Sequence, residues 1–210
     1  MTHWLEEAEN KKVEKAKVSR TKIRKKMEEI KQNYEANKEA YDRFINSLFI
    51  LCQRANSLPP KTREPWDTIE SKARESKLNN HYFTFGTRER FDKKVPAKIF
   101  PFFKTRHYKH VRKIMIAVSE TMGMVNIEVY EDYLAKTRLL IDDQSDRDTF
   151  IDDGLEGGHF IYHYSIKDLN DALMLNLLDW LVFKKDMEHL PFKDEDIKRP
   201  TKSKTSGMEG

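Results

Sequence analysis

The chain has 210 residues, 38% of them hydrophobic and 35% charged, which admits one domain or a small domain with an extended arm and strains a fully globular reading. Net charge is only +4, so the total does not argue for nucleic acid. A single cysteine, Cys52, excludes an internal disulfide and a cysteine metal cluster. The placement of charge is more telling than its sum. Residues 11–27 hold nine Lys/Arg against Glu14, residues 88–113 hold ten against Glu89 and Asp92, and residues 127–156 hold ten acids against Lys136, Arg138 and Arg147. Segregation of this kind is satisfied within the chain, between subunits or by outside partners. No apolar run reaches bilayer length, and residues 1–30 are too charged for a secretory signal. The expectation is a cytoplasmic protein with no membrane contact.

Residues 3–58 read as one helix, because no Pro or Gly precedes Pro59 and the fill is Lys, Glu, Ala, Arg and Met. Alternate steps of four and three land on Ile23, Met27, Ile30, Tyr34, Asn37, Tyr41, Phe44, Leu48, Leu51, Ala55 and Leu58. A 3.5-residue repeat keeps one stripe facing a partner helix, so the spacing predicts a coiled-coil arm. After Phe44 the stripe widens with Ile45, Phe49 and Ile50. Residues 44–58 are therefore expected on the body, and residues 10–40 are expected to project or to pair. The candidate interface is Ile23, Met27, Ile30, Tyr34, Asn37 and Tyr41. Asn37 is read either as a register-setting polar residue or as one tolerated near a solvated end. On this reading Ile30→Asp abolishes association and leaves the body folded.

Residues 59–80 read as a polar connector anchored by Trp66. Residues 81–103 mix aromatics with cations around two short extended segments. Aromatics interleaved with Arg and Lys suit single-stranded nucleic acid, because bases stack on rings while cations follow phosphates. The candidate residues are Arg88, Arg90, Lys93, Lys94, Arg106, Lys109, Arg112 and Lys113, with Phe91 or Tyr108 for stacking. The competing reading is an irregular loop with buried rings and solvated charges. Residues 105–122 and 126–141 read as two helices. The first is capped by Thr105 and ended by Gly123, with Val111, Ile114, Met115, Val118 and Met122 on its buried face. Residues 142–156 form an acidic, turn-rich loop. A hairpin is expected near 149–164, a last helix over 166–187, and a disordered tail over 188–210.

The fold class expected is thus mainly α: a 1–58 coiled-coil arm, a 59–80 connector, and a small α-rich (α+β) body over 81–187 with one hairpin. Three constellations could carry chemistry. His159 and His163 share a strand face and could join Asp152 or Asp153 in a metal set, against the plainer reading of a solvated face. The 142–153 run lacks the glycine and terminal glutamate of a calcium loop. His107 and His110, among cations, suit an anion better than a metal. There is no phosphate loop, nucleophile elbow or CxxC. The expected function is a non-enzymatic interaction or scaffold protein without a cofactor, homo-oligomeric or bound to a helical protein partner through the arm. Nucleic-acid binding through residues 88–113 is the alternative, and a metal-dependent enzyme at the 152–163 hairpin is third.

Overall fold

The computed structural model describes residues 4–74, 81–96, 103–136, 148–149 and 158–192. Helix α1 (Trp4–Asn56) is followed by the short α2 (Pro60–Arg63) and by strands β1 (Glu70–Arg74), β2 (Tyr82–Pro96), β3 (Phe103–Val118), β4 (Met124–Lys136), β5 (Asp148–Thr149) and β6 (Gly158–Ser165). Helix α3 (Asp171–Leu181) comes next, flanked by two single turns of 3-10 helix. All strand pairs are antiparallel. The sheet runs β1-β2-β3-β4, and the outer edge of β4 is shared by β5 at one end and β6 along the rest.

The protein is therefore not mainly α. It is a long helix laid on an antiparallel sheet, and the stretches expected as helices over 105–122 and 126–141 are β3 and β4. The physical reason is the period. Ile114, Ile116 and Val118 alternate on β3, as do Val125, Ile127 and Val129 on β4, and these six β-branched side chains form one face of a pleated sheet. Gly123, expected as a helix C-cap, has φ +75° but lies in the β3–β4 turn. The expected 149–164 hairpin is also replaced. Residues 158–165 pair with β4, as Met124↔Ser165 through Glu131↔Gly158. The expected helix over 166–187 is confined to Asp171–Leu181 and starts at Asn170, whose side chain accepts from the Leu173 N–H. The acidic 142–147 stretch, Asp152, Asp153 and the tail from 193 onward lie outside the described residues.

One face of the sheet carries the core. Phe85, Ile114, Ile116, Val125, Ile127, Val129 and Tyr162 meet Tyr41, Phe44, Ile45, Leu48 and Cys52 of α1 and Leu173, Leu177, Trp180 and Leu181 of α3. Phe49 packs edge-on to Phe85 at 5.0 Å between ring centres, and Tyr34 stacks on His81 at 3.4 Å. The heptad stripe from Ile30 onward is thus spent on the chain's own sheet.

Two asparagines fasten the sheet-covering half of α1 at its two ends. Asn33 is fully buried, and its Nδ2 donates to the carbonyls of Ser119 (2.8 Å), Thr121 (2.9 Å) and Met124 (2.9 Å). Its Oδ1 accepts from the Gly123 N–H (2.8 Å). One amide therefore satisfies the turn that joins β3 to β4. Asn56 does the same at the other end: Nδ2 donates to the Ile69 carbonyl (2.9 Å) and Oδ1 accepts from the Ile69 N–H (2.7 Å), just before β1. Asn33→Ala leaves three carbonyls and an N–H of the β3–β4 turn without their side-chain partner. The expected cost is about 3 kcal/mol, and in a chain of this size the Tm falls by about 10 °C. Thermal melts of the variant check it, and an unchanged Tm would refute the role given to Asn33.

Candidate functional site

The face that carries the core changes character beyond Ile114. Following the alternation outward on β3, the next inward side chains are Arg112, His110 and Tyr108, all buried. Their cross-strand neighbours are Thr87, Glu89 and Phe91 on β2, and Glu131, Tyr133 and Ala135 on β4. His110 sits between two acids, with Nδ1 2.9 Å from Glu89 Oε1 and Nε2 2.6 Å from Glu131 Oε1. The flat face of the His110 ring stacks on Tyr133 at 4.2 Å. Arg112 Nε donates to the same Glu131 oxygen (2.9 Å). The buried Arg112 guanidinium thus has a carboxylate partner in a site where unpaired charge would be costly. Burial alone would raise the Glu131 pKa, but the His110 hydrogen bond and the Arg112 charge outweigh it and hold the carboxyl below its ordinary value.

The cluster also fixes α3. Arg112 Nη1 donates to the carbonyls of Trp180 (2.8 Å) and Lys185 (2.9 Å) at the end of that helix, where the helix dipole favours a cation. The helix closes with the Lys184 N–H on the Asp179 carbonyl and the Phe183 N–H on the Trp180 carbonyl, the pair of bonds that usually requires glycine in the left-handed conformation. Here the left-handed residue is Phe183, at φ +61°. Its ring lies 4.7 Å from the Arg112 guanidinium and 4.7 Å from the His110 ring. Packing on the guanidinium and on the His110 ring offsets a backbone strain of about 1–2 kcal/mol. The arrangement holds the C-terminal segment on the sheet.

The other feature is the first half of α1. Every described side chain from residue 7 to residue 28 is exposed. Val13, Val18, Ile23 and Met27 are 51%, 50%, 43% and 44% exposed. Lys26 Nζ reaches Glu120 Oε1 on the β3–β4 turn (3.1 Å).

The structure separates the six interface candidates. Ile30, Tyr34 and Tyr41 are buried in the body, and Asn37 donates to the Asn33 carbonyl (3.0 Å) and to Asn33 Oδ1 (2.9 Å). Ile23 and Met27 remain exposed. The nucleic-acid candidates are also divided. Arg112 is inside. Arg88 and Arg90 share Asp67, at 3.1 and 3.9 Å. Lys113 lies over the Tyr130 ring at 5.5 Å. Lys94 is exposed, Lys109 half-buried, and the side chains of Lys93 and Arg106 fall outside the described ones. By alternation, Asp92, Glu128 and Asp132 stand on the outer sheet face with Arg88, Arg90, Lys109 and Lys113. Phe91 and Tyr108 stack on each other at 5.3 Å. His107 pairs with Asp92 (2.6 Å), away from His110. His159 pairs with Glu128 (3.2 Å), and His163 stands opposite Asn126. Among the described residues no group of three His, Cys, Asp or Glu is placed to hold a metal, and no helix is long and apolar enough to cross a membrane.

The depressed Glu131 pKa fixes the sign of an acid effect. An acid whose folded pKa lies below its ordinary 4.5 contributes stability that is complete above that value and is lost as pH falls through the folded one. The Tm difference between wild type and Glu131→Gln is therefore expected to hold steady above about pH 5 and to close below it; a difference independent of pH would contradict the assigned network. Burial pushes the Cys52 thiol up to about 12, so a thiol reagent at mildly alkaline pH should label it only on unfolding. Labelling of the native protein at the rate of a free thiol would contradict that burial.

Compared with protein-family models, with curated proteins and with solved structures, the chain matches none.

Proposed function

We propose that this protein is a non-enzymatic interaction protein that associates with further copies of itself through the projecting part of α1. The observation that carries the reading is the exposed helix from residue 7 to residue 28. Covering the sheet uses α1 from Ile30 to Asn56. The 25 residues from Trp4 to Glu28 add about 37 Å of helix, exposed at every described side chain from residue 7 on and tied to the β3–β4 turn through Lys26 and Glu120. Isolated helices gain little from propensity alone and usually depend on a packed apolar face. Five of the nine large hydrophobics that are exposed among the described residues (Trp4, Val13, Val18, Ile23 and Met27) lie on this arm, so a surface for it to pack on is the simplest account of them. Nucleic-acid binding through residues 88–113 has less behind it, because those cations are divided between two faces and several already have carboxylate or ring partners.

The test substitutes where the arm is exposed. Ile30 is in the core cluster, so Ile30→Asp would damage the body as well as the arm. Ile23→Asp with Met27→Asp is the sharper variant. By light scattering after size exclusion, wild type is expected above its 25.0 kDa chain mass, and the double variant at that mass with an unchanged Tm. A wild-type protein that stays monomeric at its highest soluble concentration would overturn the proposal. So would excess mass that disappears on nuclease treatment.

A further inference from the structure

We propose that the surface which receives the arm is the groove between α1 and α3 of a second copy, so that copies join head to tail. This rests on the self-association reading above and names the partner surface that it requires.

The groove has a volume of about 300 Å³ and is lined by Ser47, Ile50, Leu51, Asp171, Met174 and Leu175. Ile50 is 56% and Leu175 50% exposed. The groove therefore presents two large aliphatic side chains to solvent from neighbouring helices, the arrangement that takes the apolar stripe of an amphipathic helix. Charge selects which helix. Residues 11–27 have nine Lys/Arg and one acid, whereas α3 has no Lys or Arg and carries Asp171 at the groove, its other acid, Asp179, being paired with Lys185 (3.1 Å). Two arms laid side by side would set lysine against lysine. An arm laid against α3 places Ile23 and Met27 on Ile50 and Leu175, with its lysines beside Asp171.

The helix that carries the arm also determines the symmetry. At 3.6 residues per turn, Ile50 lies about 140 to 180° around α1 from Met27 and Ile23. Arm stripe and groove thus point to opposite sides of one uninterrupted helix, Trp4–Asn56. A chain cannot place its own arm in its own groove, and two copies cannot satisfy both surfaces side by side. The contact is heterologous: it leaves one arm and one groove open in every pair, and it grows into open chains or closes into a ring.

Two variants and their mixture test this. The arm variant is Ile23→Asp with Met27→Asp, and the groove variant is Ile50→Asp with Leu175→Asp. All four positions are exposed, so both proteins should keep the wild-type Tm. Each alone is expected to be monomeric where wild type assembles, with association at least tenfold weaker. Mixed, they should form a one-to-one pair and nothing larger, because the pair has one intact arm and one intact groove, already joined. A groove variant that assembles like wild type, or a mixture that stays monomeric while the arm variant is dissociated, would overturn the groove and leave the arm reading standing. An arm variant that assembles like wild type would overturn both.

Discussion

The position of α1 depends on one buried amide. Asn33 gives its two N–H donors to three carbonyls of the β3–β4 turn and accepts from the Gly123 N–H, so helix and turn each complete the other's hydrogen bonds. Without these bonds the turn would lose partners for its backbone groups, and the buried Asn33 amide without the turn would be costly. The contact also fixes register. With Asn33 tied to residues 119–124 and Asn56 tied to Ile69, α1 is held at two points 23 residues apart, and the side chains between them fall on fixed places in the sheet.

The same face of the sheet holds its other helix by a different device. Near α1 the inward side chains are aliphatic and aromatic. Past Ile114 they become Arg112 and His110, balanced by Glu89 and Glu131. Arg112 reads one carbonyl in the last turn of α3 and one just beyond it, and Phe183 accepts a left-handed backbone to place its ring against the guanidinium and the His110 ring. A buried polar network of this kind adds little net stability compared with an apolar core. It specifies one arrangement, because the guanidinium must find the helix end and the imidazole must meet two carboxylates together.

How much of this the sequence carried differs by element. The long helix was legible from its heptads and from the lack of Pro and Gly, and the start of α3 lies five residues beyond the expected start at 166. The strands were hidden by chemistry. Three of the six inward positions on β3 from Tyr108 to Val118 are Tyr108, His110 and Arg112, which a hydrophobic period does not count, while Val111 and Met115 on the outer face completed a false helical spacing. The alternation Val125, Ile127, Val129 was visible, and weighing β-branched residues above spacing would have found β4. Asn33 left no signal, since its role depends on a turn 86 residues away. Asn37, which interrupts the heptads, drew attention instead, and it supports Asn33 by hydrogen bonding to it. Among the interface candidates, spacing alone could not tell which part of the stripe the chain's own sheet would cover.

That division of one stripe between two tasks has a mechanical consequence. The helix runs unbroken from the arm into the core, with no Gly or Pro between Trp4 and Asn56, and its inner half is tied at both ends. The arm is therefore presented in a direction set by the body, without a flexible linker between them. A preformed helix gives up little conformational freedom on docking, so a modest apolar contact can suffice where a disordered tail would need a larger one. Rigidity also restricts geometry, because the arm meets only those surfaces that its fixed direction allows, and on an identical chain a groove on the far side of the same helix repeats that direction from copy to copy. In the proposed assembly, the asparagine clamps that hold the helix within one chain would also set the angle at which a second chain joins it.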